Sequence, residues 1–119
     1  MNIVSRMRQE MRTVLEDNIL PFWADKMTDP VNGGFYGRIT GADKLEPQAM
    51  KGAVLNARIL WTFSSAYRLL KKPEFLATAT RAKRFLVDRF YDKEQGGIYW
   101  SLDYTGCLLY TSDAADDGE

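Results

Sequence analysis

The chain has 119 residues, 45% hydrophobic and 27% charged, which suits one small globular domain with a core. Sixteen Lys and Arg balance sixteen Asp and Glu, so no net field attracts nucleic acid or anionic lipid, and no apolar run reaches the ~18–20 residues that span a bilayer. Histidine is absent, which removes the usual general acid/base near neutral pH and the Cys/His clusters of structural zinc.

The opening Met1-Asn2-Ile3-Val4-Ser5-Arg6 lacks the basic-then-apolar layout of a signal peptide, so a cytoplasmic location is the expectation. Ile3, Met7, Met11, Val14, Asn18 and Phe22 then recur at helical spacing. That stripe predicts a first helix, kinked or interrupted near Leu20 by Pro21. Residues 29–41 read as a glycine-rich loop, with Phe35, Tyr36 and Ile39 marking a short extended piece.

A second helix is predicted from about Gly52 to Leu70. One face carries Ala53, Ala57, Leu60, Trp61, Ser64 and Tyr67, and the other Leu55, Ile59, Phe63 and Ala66. A helix apolar nearly all round is expected to be buried on most sides, with Trp61 in the core in preference to its other reading, a face stacked on a sugar ring. Pro73 suits the first turn of a third helix whose stripe is Phe75, Ala79, Ala82, Leu86 and Phe90.

Next comes an internal repeat. Asp29-Pro30-Val31-Asn32-Gly33-Gly34-Phe35-Tyr36 is echoed by Asp92-Lys93-Glu94-Gln95-Gly96-Gly97-Ile98-Tyr99, an offset of 63 residues. Ile39 and Leu102 follow the two Tyr, and Gly41 and Gly106 are taken as the next equivalent pair. Helical hairpins joined by Gly-Gly loops need neighbours to bury both faces. Six units of this length would close a ring of roughly 380 residues, and this chain holds fewer than two.

From Cys107 onward the pattern breaks. One codon choice for Cys107 to Asp117 reads as the transposase adapter of shotgun sequencing libraries. The expectation is an N-terminal portion of a larger domain over residues 1–106 and an adapter-derived tail over 107–119. Cys107, the single cysteine, cannot form an internal disulfide.

Four runs carry a family resemblance. They are Ile19-Leu20-Pro21-Phe22-Trp23, Asn32-Gly33-Gly34-Phe35-Tyr36-Gly37, Lys51-Gly52-Ala53-Val54-Leu55-Asn56-Ala57-Arg58-Ile59-Leu60-Trp61-Thr62-Phe63-Ser64, and Gly96-Gly97-Ile98-Tyr99-Trp100-Ser101. In this order and spacing they resemble the N-acylglucosamine 2-epimerase family. The resemblance implies an all-α fold, part of an (α/α)6 barrel. It also implies a cofactor-independent, metal-free isomerase that inverts C2 of a reducing-end aldose, with a disaccharide such as cellobiose as substrate. The family's acid/base histidines lie in the later two-thirds of the barrel, so this chain alone is expected to be inactive.

The resemblance implies that Arg58 faces the sugar, where a guanidinium would stabilise charge on the enediolate oxygens. The competing reading of Arg58 is a salt bridge to Asp29 or Asp92. Trp100, Asn56 and Tyr36 are the further substrate-binding candidates. Against that, Asn56 also reads as a loop-bonding residue, and Tyr36 and Tyr99 occupy equivalent repeat positions that favour a shared structural role.

Two other functions are weighed. A glycoside hydrolase on an α/α toroid would need two opposed carboxylates, for which Asp29, Asp92 and Asp103 are available. A non-enzymatic reading makes the chain a partial helical module whose exposed apolar surface drives self-association. The implied partner of the whole enzyme is a small-molecule sugar, with neither nucleic acid nor membrane.

Overall fold

The computed structural model describes residues 2–108. Helix α1 spans Ile3–Val14, with the Asn2 side chain accepting from the Ser5 N–H at 2.8 Å to cap it. The helical path continues through a π-helical turn at Leu15–Ile19, Leu20 and Pro21, and a second π-helical turn at Phe22–Lys26. Pro21 offers no N–H, and its ring crowds the preceding turn, so the path widens on either side of it. Proline thus bends this segment rather than ending it.

Helix α2 spans Ala53–Leu70 and α3 spans Pro73–Phe85, followed by a π-helical turn at Leu86–Phe90. Lys71, at φ 60°, ends α2 in the left-handed region, and its N–H bonds the Tyr67 carbonyl. Pro73 opens α3 as the sequence predicts, its missing N–H costing nothing in a first turn. The two helices form an antiparallel hairpin around Ile59, Phe63, Ala66, Phe75, Ala79 and Ala82, with Leu20 and Phe35 packed beside them. The Phe63 and Phe75 rings lie 6.0 Å apart. A second apolar cluster joins Ala53, Phe85, Phe90 and Leu102. Strand β1 (Lys51–Gly52) pairs antiparallel with β2 (Ser101–Leu102), tying the head of α2 to the second loop.

The 63-residue repeat holds bond for bond. Asp29 N–H donates to Gly34 O at 3.1 Å, and Asp92 N–H to Gly97 O at 2.9 Å. Tyr36 N–H reaches Met27 O at 2.7 Å, and Tyr99 N–H reaches Phe90 O at 2.8 Å. Thr28 bridges Phe35, and Tyr91 bridges Ile98. The next turn repeats as well: Ile39 pairs with Leu45 and Leu102 with Leu108. In that turn Asp43 (φ 64°) is the counterpart of Gly106 (φ 89°), so the pairing of Gly41 with Gly106 is corrected by two residues. The left-handed position is what the repeat keeps, and aspartate fills it in one copy and glycine in the other. The hairpin closes through Cys107 and Leu108, whereas 109–119 of the expected tail lie outside the described residues.

The α1 stripe of Ile3, Met7, Met11 and Val14 is exposed, and α1 meets chiefly its own continuation at Leu15–Ile19. Two expectations about burial are corrected. Helix α2 is buried on one face alone, through Ala53, Asn56, Ile59, Phe63 and Ala66. Trp61 stands on the other face, 73% exposed, rather than in the core. Among the described residues no helix is long and apolar enough to cross a membrane.

Gly37 sets how closely the first loop meets the approach to α2. A Cβ built there would lie 1.8 Å from the Met50 carbonyl oxygen, which is backbone and cannot swing aside. Gly37→Ala is expected to destabilise the chain by about 1–3 kcal/mol, as overpacking does. Urea unfolding followed by circular dichroism measures it, and an unchanged midpoint contradicts the close approach.

Candidate functional site

Two polar regions stand out: a buried ion pair beneath the first loop, and the open face of α2. In the first, Asp29 Oδ1 accepts from the N–H groups of Val31 (2.9 Å) and Asn32 (3.0 Å), which curls the loop around its own carboxylate. Asp29 Oδ2 accepts from Lys51 Nζ at 2.7 Å, and both side chains are buried. Lys51 Nζ also donates to Gly33 O at 2.6 Å and lies 5.2 Å from the centre of the Phe85 ring. Arg81 Nε donates to Gly34 O at 2.9 Å, and its terminal nitrogen bonds Asp29 O. Two cations from different elements therefore hold the loop's carbonyls and its carboxylate.

The ionisation of this centre follows from those contacts. Burial pushes the Asp29 carboxyl up, but the Asn32 N–H, the Lys51 ammonium and the Val31 N–H outweigh it and hold the carboxyl below the usual range. Burial pulls the Lys51 ammonium below the ordinary lysine value, with Asp29 pulling the other way. Glu16 is held low by Arg12 and by Lys72, whose Nζ is 3.0 Å away, and Asp103 by Thr105 and the Cys107 N–H. A carboxyl whose folded pKa is depressed adds stability above its unfolded value of about 4, and loses it as pH falls through the folded value. The thermal midpoint is therefore expected to be level between pH 7 and 5 and to fall below about pH 4. A midpoint that stays level to pH 2.5 contradicts these assignments.

The second region holds two of the sequence-predicted residues, Arg58 and Trp100. Arg58 is exposed on α2 and forms no ion pair among the described residues; Asp29, one proposed partner, is taken by Lys51. Trp61 lies one turn further along, on the same side of the helix as Arg58. Trp100 is 65% exposed, and its carbonyl accepts from the Ala53 N–H at 3.0 Å. That bond sets the Trp100 backbone beside the head of α2, roughly 8 Å along the axis from Arg58. A guanidinium and an indole thus share one open side of α2, and a second exposed indole, Trp100, stands on the loop that abuts the head of the helix.

Asn56 and Tyr36 are placed apart from that face. Asn56 is fully buried, donates from Nδ2 to Gly52 O at 2.9 Å, and has no partner for Oδ1 among the described residues. Tyr36 is half-buried in the first loop, at the position that Tyr99 fills in the second. The carboxylates open to a hydrolase are engaged locally. Asp92 Oδ1 accepts from the Glu94 and Gln95 N–H groups, and Asp103 Oδ1 from the Thr105 N–H, the Thr105 hydroxyl and the Cys107 N–H. No group of three or more metal-ligating side chains occurs among the described residues.

Sequence reasoning missed Lys51 and Arg81. A signal was available at Lys51, a lone cation directly ahead of an apolar helix. Arg81 sits mid-helix between Thr80 and Ala82 and is indistinguishable by pattern from the solvated Lys83 and Arg84.

The sequence profile described as N-acylglucosamine 2-epimerase (GlcNAc 2-epimerase) matches residues 34–115. The cellobiose 2-epimerase of Bacteroides fragilis is 60% identical over 105 residues, which are 88% of this chain and 27% of that protein. The structure of cellobiose 2-epimerase from Spirochaeta thermophila superposes with a TM-score of 0.83 at 43% identity, covering 88% of this chain and 26% of that one. The one from Bacillus thermoamylovorans gives 0.85 at 42% identity, covering 88% and 27%. This chain thus spans about a quarter of the length of the relatives it matches. Its all-α hairpins correspond to part of an (α/α)6 barrel.

Proposed function

Because the chain belongs to the N-acylglucosamine 2-epimerase family, we propose that it is the first part of a cytoplasmic sugar 2-epimerase whose substrate is a disaccharide of the cellobiose type. The observation that carries this reading is the 60% identity to a cellobiose 2-epimerase across 88% of the chain.

In the proposed reaction, a base removes the C2 proton beside the open-chain carbonyl. The electron pair moves into the carbonyl and forms an enediolate. An acid on the opposite face then returns a proton to C2 with inverted configuration. Nothing is oxidised or reduced overall, and no cofactor or metal is called for. Arg58, exposed and without an ion partner among the described residues, would donate to the enediolate oxygens. Trp61 and Trp100 offer flat faces for a sugar ring. Asn56 and Tyr36 would act from behind this face, holding the head of α2 and the first loop. The proton carriers are histidines supplied by the remainder of the barrel, since this chain has none.

Cellobiose incubated with the longer gene product is expected to yield an isomer of unchanged mass with a mannose at its reducing end. Cleaved sugars would favour the hydrolase reading, and untouched cellobiose would redirect the substrate to N-acylglucosamine or mannose. By itself the 119-residue chain is expected to leave cellobiose unchanged and to self-associate through the bare α1 stripe and Trp61. A monomer in sedimentation at all concentrations would contradict the self-association. The 107–119 segment is proposed to be adapter-derived; a different codon series in the source DNA would refute that.

A further inference from the structure

The two Gly-Gly loops share a backbone but not a filling. In the first, Asp29 is 1% exposed, Lys51 occupies it, and the Phe85 ring covers it so closely that a Cβ on Gly34 would lie 2.8 Å from the ring. In the second, Asp92 keeps its bonds to the Glu94 and Gln95 N–H groups, yet no cation lies within ion-pair distance of it among the described residues. Residues 93–98 are all exposed, and a Cβ on Gly96 or Gly97 would meet nothing within 4 Å. Tyr99 is the neighbour present, its phenol pushed up by burial and by the Asp92 charge.

We infer that the Asp92–Tyr99 loop is a socket for a lysine or arginine from the helical hairpin that follows it in the whole enzyme. The second cation would bond the Asp92 carboxylate and the Gly96 carbonyl, as Lys51 bonds Asp29 and Gly33. The repeat gives its place. Lys51 follows Asp29 by 22 residues, so the second cation falls at or within a few residues of position 114. The few-residue latitude reflects the connection Glu46–Met50, a loop of the kind in which lengths vary. Here that position is Ala114, inside the segment proposed to be adapter-derived. Unit would thus be keyed to unit by a buried ion pair under each Gly-Gly loop, with apolar packing adding area around it.

This inference rests on the reading that the chain is the first part of a longer enzyme. Its test uses the longer gene product and the 119-residue chain side by side. The longer product is expected to carry Lys or Arg near position 114. Asp92→Asn is expected to lower its thermal midpoint by roughly 5 °C or more, and that of the short chain by about 1 °C or less. Replacing the cation by Met should cost a similar shift in the longer product, and the double variant should regain most of it, because no unpaired buried charge then remains. The absence of any Lys or Arg near position 114, an equal effect of Asp92→Asn in both chains, or a double variant as damaged as the two singles summed would each overturn the socket. Epimerase assay of the same longer product separates the two readings. Activity without coupling between the two positions sinks the socket alone, and coupling without activity sinks the function alone.

Discussion

Lys51→Met is expected to destabilise the chain by about 3–5 kcal/mol. That range is a large share of the ~5–15 kcal/mol a folded domain has in total, so the unfolding midpoint should drop sharply. Removing the ammonium leaves the Asp29 carboxylate buried, with the Val31 and Asn32 N–H groups and no counter-charge at Oδ2. It also strips the Gly33 carbonyl of its donor. The cost comes from the charge left behind rather than from the pair's own strength. Adding Asp29→Asn to Lys51→Met should therefore return part of the loss, whereas Asp29→Asn alone should cost about as much as Lys51→Met. Denaturant midpoints followed by circular dichroism measure all three. A Lys51→Met variant within about 1 kcal/mol of the parent contradicts the ion pair as the first loop's anchor.

Arg58→Ala in the longer enzyme is expected to lower kcat by about 10²–10³, the usual cost of removing a donor aimed at a developing oxyanion. The same substitution should leave stability within about 0.5 kcal/mol, since Arg58 is exposed and holds no ion pair among the described residues. A loss in KM with kcat intact would make Arg58 a ground-state binder. Undiminished turnover would remove it from the chemistry. Arg58→Lys keeps the charge but loses the planar fork, so partial activity there would say that geometry, and not charge alone, is being used.

The hairpin architecture was legible because its signals are local. Pro73 marks a helix start by chemistry that acts within one turn, and the Asp-x-x-x-Gly-Gly echo encodes a loop that closes on its own N–H groups. The Lys51–Asp29 pair was not legible. Its members lie 22 residues apart, and nothing in either local pattern marks them as meeting. The two faces of α2 were equally apolar on paper. Choosing between them needed α3, which covers the side of Ile59, Phe63 and Ala66 and leaves Trp61 bare. The α1 stripe was legible as a helix, but periodicity reports a face to be covered without supplying the cover, and its apolar residues stand exposed. Gly41 misled because glycine is only one way to reach a left-handed φ; Asp43 reaches it in the first copy and Gly106 in the second. The open face carrying Arg58 was visible only through the family resemblance, and its burial state only in three dimensions.

The most direct measurement is proton exchange at C2. The longer gene product, incubated with cellobiose in D2O, should give the C2 epimer with solvent deuterium at C2, followed by NMR, while the 119-residue chain gives neither epimer nor exchange. An epimer formed without solvent deuterium, or exchange catalysed by the histidine-free chain itself, would contradict deprotonation by groups that the rest of the barrel supplies.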